Sequence, residues 1–358
     1  MNDGQTRQST PPSDLPCASG LEDVVAAVTR LSDVDGAAGR LIIGGRPVEE
    51  LAGRASFEEV SSLLLGREVH PRRLGEARLG AFGHLERLGD ALGASDAMDA
   101  LRAGTAHLGS TDAVEVVAGV AVVVAAWAAR ARGAAPVRPD PALPHAEDFL
   151  RMATGRASST AAVNALESYL VTVMDHGMNA STFAARVVAS TGSDMVSAIV
   201  AAICALKGKL HGGAPGPVLD MLDAIGEPER ARAWLEAGLA RRERIMGMGH
   251  RVYRVRDPRA FVLERAVSAL EASPRLALAR AVEAEAEALL ATRYPDRPLK
   301  ANVEFYTAVL LEAVGLPREL FTATFAAGRV AGWCAHVEEQ RRVGRLIRPQ
   351  SRYVERSV

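Results

Sequence analysis

The sequence predicts a mainly α-helical chain folded into two lobes, and three observations carry that reading. Apolar residues recur at helical spacing through most of the chain, with no βαβ alternation, no GxGxxG or Walker loop and no internal repeat. Hydrophobic residues make up 48% but aromatics only 4%, and Ala, Leu and Val supply most of the apolar content. That mix suits helices packed closely through small side chains. Finally, 358 residues are more than one hydrophobic core usually serves.

The elements follow in chain order. Residues 1–20 are read as a disordered tail, because the first sixteen (MNDGQTRQSTPPSDLP) are polar and Pro-rich and lack the apolar stretch of a signal peptide. Helical spacing is expected over Leu21–Leu31 and Ser56–Leu65. Between them, Asp35-Gly36 and Gly44-Gly45 flank Leu41-Ile42-Ile43 and suggest a short hairpin-like element. The longest apolar run, Val116 to Ala129, is shorter than the ~18 residues of a membrane span and reads as a buried core helix. Pro139 to Pro144 forms a breaker-rich linker, and helices resume at Ala146–Met152 and Ala161–Met174. Ser193–Leu206 is apolar nearly all round, which predicts burial on every side. A Gly-rich loop around His211 precedes a helix over Val218–Ile225, and Pro228–Met246 reads as one amphipathic, highly charged helix. Asp257-Pro258 is a helix start, with Asp as N-cap and Pro in the first turn, for a helix reaching about Leu270. Further helices are expected over Arg275–Thr292 and, after Pro317, Arg318–Arg342.

Bulk charge excludes one class of function. With 42 basic and 43 acidic residues the net charge is −1, against the basic excess of a nucleic-acid binder, and no basic–aromatic interleaving suits stacked bases. Cys17, Cys204 and Cys334 are too few and too scattered for a disulfide framework, and no Cys/His spacing suits a metal. A reducing, cytoplasmic location without membrane association is expected.

Polar residues concentrate in four places within apolar surroundings: Asp175 to Thr182, the loop around His211, Met246 to Arg259, and Asn302 to Tyr306. His211, before Gly212-Gly213 and a helix, would feel a positive helix end, which favours the neutral imidazole that can donate to a developing enolate. A loop histidine that merely caps a helix fits the same residues. His250 follows Gly247 and Gly249, whose amides the loop is expected to expose, and Arg259 falls in the first turn after Asp257-Pro258. Arginine at a helix N-terminus makes sense if an anion sits there, while a solvated basic segment is the alternative. Glu304, between Val303 and Phe305, is either a general base with a raised pKa or the partner of a buried arginine. Arg329 lies among small apolar residues (FAAGRVAGW) and needs a carboxylate from the protein or from a ligand. Nothing local distinguishes Arg348 from a surface residue.

Together these stretches resemble the citrate synthase family, over about Leu21 to Tyr353. The strongest are DHGMNASTFAARVVAST at 175–191, GKLHGGAPGPVLDML at 208–222, IMGMGHRVYRVRDPRA at 245–260 and NVEFYTAVLLEAVGLP at 302–317. The resemblance implies a large helical domain of residues 21–212 plus 316–358 and a small one of 213–315. It implies catalytic roles for His211 (thioester carbonyl), His250 (ketone) and Glu304 (α-proton). His176, Arg259 and Arg329 would bind oxaloacetate, with Arg348 supplied by the partner subunit of a homodimer with shared sites, and Asn179 and Phe325 would line the site. Met246, Gly247, Met248, Gly249 and Arg254 would hold the coenzyme A nucleotide. The implied reaction condenses acetyl-CoA with oxaloacetate and water. It needs no cofactor or metal, since the coenzyme A thioester is a substrate. A 2-methylcitrate synthase using propionyl-CoA and a non-catalytic citrate- or coenzyme-A-binding paralogue are the alternatives. Three positions depart from the family pattern: Glu304 where Asp is usual, Gly44-Gly45-Arg46 where an Arg-Gly-Tyr-like triplet is usual, and Lys209 where proline is common.

Overall fold

Gly44 and Gly45 both take positive φ (55° and 84°), and they join two strands through a two-residue turn that residues with a Cβ adopt poorly. The strands are β2 (Arg40–Ile43) and β3 (Arg46–Pro47), preceded by β1 (Ser32–Asp35). All pair antiparallel in the order β1-β2-β3, with Ser32 opposite Ile43 and Ile43 opposite Arg46. The expected hairpin-like element is thus a three-stranded sheet. This computed structural model describes residues 20–21, 24–109, 111–212, 215–270, 274–351 and 353. The tail expected over residues 1–20 lies outside the described residues except for Gly20.

Helices make up 62% of the chain, as the sequence predicts. The first helices are α1 (Val48–Leu51), α2 (Phe57–Leu65), α3 (Pro71–Phe82), α4 (Ala97–Ala106), α5 (Ala113–Ala131) and α6 (His145–Thr154). Then come α7 (Thr160–Val173), α8 (Ala180–Ser190), α9 (Met195–Leu206), α10 (Pro215–Ile225) and α11 (Ala231–Ala240). The last are α12 (Pro258–Ser268), α13 (Pro274–Arg293), α14 (Val303–Ala313) and α15 (Phe321–Val343). Their starts follow local chemistry. Ser56 closes a capping box with Glu59 on α2, and Asp257 accepts from the Arg259 amide at the start of α12, where Pro258 has no N–H to satisfy.

Helix α5 is the core of the larger group of helices, packed against α3, α4, α6 and α15. Its 19 residues and mean hydropathy of 1.8 meet the length and composition of a membrane span, but 89% of that window is buried inside the protein. It serves as a core helix, longer than the apolar run alone suggests because Asp112 caps it one turn earlier. Helices α10 to α14 pack mainly on one another, and α7 and α15 meet them from the larger group.

Three expectations fail here. Residues 24–29 form no helix. Val25 and Val28 are 83% and 85% exposed, so apolar spacing without a surface to bury it does not stabilise one. The charged segment after Pro228 is helical only to Ala240, after a 3₁₀ turn at Pro228–Arg230. Arg242 then takes φ 63°, which ends the helix. Helix α9 is not buried all round: α4, α8 and α15 cover one face, and Ser197 and Cys204 remain exposed with Val200 and Ala201 half-buried between them.

Candidate active site

The site forms where α7 meets α12, α14 and α15, and where α15 meets α8. Asn179 caps α8: its Oδ1 accepts from the Thr182 amide (3.1 Å) and lies 2.7 Å from Ser181 Oγ. Ser181 in turn lies 2.8 Å from His211 Nε2 and accepts the Trp333 indole N–H at 3.2 Å. Asn179 therefore reaches the site through Ser181.

The Ser181 backbone N–H points at the same His211 Nε2 at 3.4 Å. A backbone N–H can only donate, so Nε2 is the accepting nitrogen and the ring proton sits on Nδ1. Burial, reinforced by Arg329, brings the pKa of His211 down to about 4. The imidazole is neutral at neutral pH with Nδ1–H available to donate. A helix N-terminus does face the ring, that of α8, whose second residue is Ser181. Gly213, in that loop, lies outside the described residues.

His250 is set the opposite way round. Its Nδ1 accepts from the amides of Val252 (3.0 Å) and Tyr253 (3.1 Å), which puts the ring proton on Nε2. Nε2 faces Arg259 Nη2 at 3.3 Å. Two donors facing each other call for an acceptor that both can reach. Burial, then Arg259, lowers the pKa of His250 to about 4 as well. His176, buried beside it, meets Tyr253 Oη at 3.1 Å and the His250 ring edge-on at 5.6 Å. Burial and the nearby Arg259 and Arg329 hold its pKa well below the usual histidine value.

Four arginines are buried in the described residues: Arg78, Arg186, Arg259 and Arg329. Arg78 pairs with Asp148 at 2.8 Å and Arg186 with Glu339 at 2.6 Å. Arg259 is gripped by Asp257 through Nε (3.0 Å) and Nη2 (2.7 Å). The anion expected at this helix start is thus first of all the N-cap itself. Asp257 Oδ2 also accepts from the Val303 amide at 3.2 Å, so one carboxylate ties the Arg259 turn to the start of α14. Arg329 differs from the other three: no described carboxylate lies within salt-bridge distance. Its Nε donates to the Val173 carbonyl, and its guanidinium lies 4.7 Å from the Phe325 ring centroid. Burial brings its pKa down to about 10. A buried, charged and unpaired guanidinium suits an incoming carboxylate.

Glu304 is in the first turn of α14, where Asn302 Oδ1 caps its amide at 2.9 Å. Burial pushes its pKa up to about 7, against the pull of Arg259 and with a push from Asp257. No described residue hydrogen-bonds its carboxylate, which removes the reading of a salt-bridged structural glutamate.

The glycine loop before His250 is stitched to the same helix start. Gly249 donates to the Lys300 carbonyl at 2.7 Å, and Asn302 donates through its amide to Gly247 (2.9 Å) and through Nδ2 to Gly249 (2.8 Å). Gly247 has φ 73°, and a Cβ there would lie 2.9 Å from the Phe305 side chain. The expectation that these amides stand exposed fails for Gly249, whose N–H is already paired. Met246 and Met248 are half-buried beside it, and Arg254 is exposed, its amide donating to Gly36 at 2.9 Å. Arg348 is not brought to this site in its own chain. It is exposed, next to Ile347, whose amide donates to Ser190 Oγ at the end of α8. Helix α8 is about 16 Å long, at 1.5 Å per residue over eleven residues, so that end is remote from its first turn.

The structure thus assembles His176, His211, His250, Arg259, Glu304, Phe325 and Arg329. It adds Ser181, Tyr253, Asp257 and Trp333, which orient them. Ser181 and Tyr253 lie inside motifs read from sequence, but no local signal marks them, since their partners are distant in the chain.

A profile of the family described as "Citrate synthase, C-terminal domain" matches residues 20–350. The chain belongs to the citrate synthase family. A relative named putative citrate synthase 2, from Mycobacterium tuberculosis, is 38% identical and covers 94% of this chain and 92% of its own. A 2-methylcitrate synthase of the same species is 37% identical, covering 93% and 89%. The solved ternary complex of citrate synthase from Thermoplasma acidophilum with carboxymethyl coenzyme A and oxaloacetate superposes with TM-score 0.86 at 29% identity, over 96% and 97% of the two chains. The two-lobed helical fold is that of the citrate synthases, and the chain is an enzyme of that family.

Proposed function

We propose that this enzyme condenses acetyl-CoA with oxaloacetate and water to give citrate and coenzyme A. The observation that carries the reading is that the site sets two neutral imidazoles with opposite tautomers and a carboxylate of raised pKa around an unpaired arginine. Glu304 takes a proton from the acetyl methyl, and His211 Nδ1–H stabilises the enol oxygen. The enolate carbon then attacks the ketone carbon of oxaloacetate; His250 Nε2–H hydrogen-bonds the developing alkoxide, which ends as the citryl hydroxyl by taking a proton from solvent, while Glu304 returns its proton to solvent. Water hydrolyses the citryl thioester and releases coenzyme A. Arg329, Arg259 and His176 hold the oxaloacetate carboxylates, with Phe325 beneath Arg329. The Thermoplasma complex supports this choice of substrates. The reaction uses no cofactor.

Residues 213–315 would close over residues 21–212 and 316–358 when oxaloacetate binds, which keeps water from the thioester until both substrates are present. The loop of Met246, Gly247, Met248 and Gly249, with Arg254, would take the coenzyme A nucleotide. A homodimer would bring Arg348 to the other subunit's oxaloacetate. The uncovered face of α9 and the exposed Val25 and Val28 support such an interface. The free thiols of Cys204 and Cys334 suit the cytoplasm.

The second reading, a 2-methylcitrate synthase, is favoured by a relative of that name at nearly equal identity. One methylene gives only about 1–3 kcal/mol of discrimination. Thiol release from acetyl-CoA and from propionyl-CoA, each with and without oxaloacetate, separates these readings. Oxaloacetate-dependent release supports the condensation, and the ratio of kcat/KM names the acyl donor. No release from either would overturn both.

A further inference from the structure

Tyr169 sits on α7 one turn before Val173, whose carbonyl takes the Arg329 Nε–H. Helix α7 packs against α12, α14 and α15, which carry Arg259, Glu304 and Arg329. The Tyr169 side chain is buried at 0% exposure, and its Oη has no hydrogen-bond partner among the described residues. The charges that act on this phenol are those of the site: Glu304, Arg329 and Arg259. Burial, with Glu304 pushing the same way, raises its pKa well above the usual tyrosine value, so the phenol is neutral and carries its proton. A buried hydroxyl without a partner is costly, and it is retained where another state of the protein supplies one.

Glu304 has the complementary deficit. Its carboxylate accepts no hydrogen bond from any described residue, and a glutamate has one more torsion than an aspartate through which to wander. A base whose oxygen is free to rotate loses effective concentration toward the proton it must remove. We propose that Tyr169 is a positioning residue for the base: as the site closes over its substrates, Tyr169 Oη–H donates to the Glu304 carboxylate and fixes the oxygen that takes the acyl proton. The proposal rests on Glu304 being the base. The hydrogen bond favours the charged carboxylate and so brings its pKa down in the complex.

The test is Tyr169→Phe, which removes one oxygen and keeps the buried ring. We expect kcat to fall roughly 10-fold, with KM for both substrates within about twofold of wild type. The acidic limb of the kcat–pH profile should move up by about one pH unit, because the carboxylate loses a donor. A thermal melt at or above that of wild type shows that the variant folds. Unchanged kcat with an unchanged limb would overturn the proposal. So would a rise in KM for oxaloacetate alone, which would assign the hydroxyl to the substrate instead. Glu304→Gln measured alongside separates the two layers. If that variant turns over normally, the base assignment has failed; if it is inactive while Tyr169→Phe behaves as wild type, only the role of Tyr169 has.

Discussion

Glu304 and the two histidines set the pH behaviour at the scale of single residues. With a pKa of about 7, Glu304 is protonated on the acid side of neutrality and cannot act as a base there, whereas His211 and His250, at about 4, stay neutral throughout that range. In the enzyme before substrate binds, kcat/KM should therefore fall as pH drops through about 7, a limb that belongs to the carboxylate. Glu304→Gln should lower turnover by roughly 100-fold to 10,000-fold while oxaloacetate still binds, as calorimetry would show. Normal turnover would remove Glu304 from the mechanism. The histidines also make stability depend on pH. Their folded pKa lies below the unfolded value of 6.5, so the unfolded chain binds more protons between those values. Across that window the histidines lower stability as pH falls and Glu304, raised from 4.5 to about 7, partly offsets them, so Tm should decline with falling pH, and more steeply in Glu304→Gln than in wild type.

Helix starts are the elements on which the chemistry hangs, and three of them are shared between structure and catalysis. Asn179 caps α8 and holds Ser181, Asn302 caps α14 beside Glu304, and Asp257 caps α12 while gripping Arg259. Cap and function should separate experimentally at α8. Asn179→Ala should cost about 1 kcal/mol of stability. Ser181→Ala keeps the cap and removes the oxygen against His211 Nε2, so we expect kcat to drop with little change in Tm. Equal kcat in Ser181→Ala and wild type would show that the histidine needs no such support. Elements of this kind were legible in the sequence wherever a cap signature stood beside the apolar pattern, as at Ser56 and Asp257-Pro258. Leu21–Leu31 and the end of the Pro228 segment were misread because they offered apolar or charged spacing alone. Spacing marks a helix only when another element covers the apolar side, and residues 24–29 and 241–244 are largely exposed.

At the scale of the whole molecule, the decisive question is the second copy. Arg348 is exposed at the far end of α8, so an effect of Arg348→Ala on oxaloacetate binding would have to come across an interface. We expect that variant to bind oxaloacetate more weakly. Mixed dimers combining an Arg348→Ala chain with a His211→Ala chain should regain activity, since one of the two sites then receives intact copies of both residues. Failure of every such pairing would argue that each chain holds its own complete site.

The sequence by itself determined the family, the helical class and most of the residues that meet in the site, because these follow from motif order, apolar spacing and caps a few residues long. Only the tertiary structure decided what those residues are chemically. Whether an imidazole is neutral, which nitrogen carries its proton and whether a carboxylate titrates near 7 depend on burial and on partners far away in the chain. Ser181 lies 30 residues from His211, and Val173 lies 156 from Arg329. Free energies of ionisation are set by the field and the solvent at a point in space, and neighbours in sequence do not define that point.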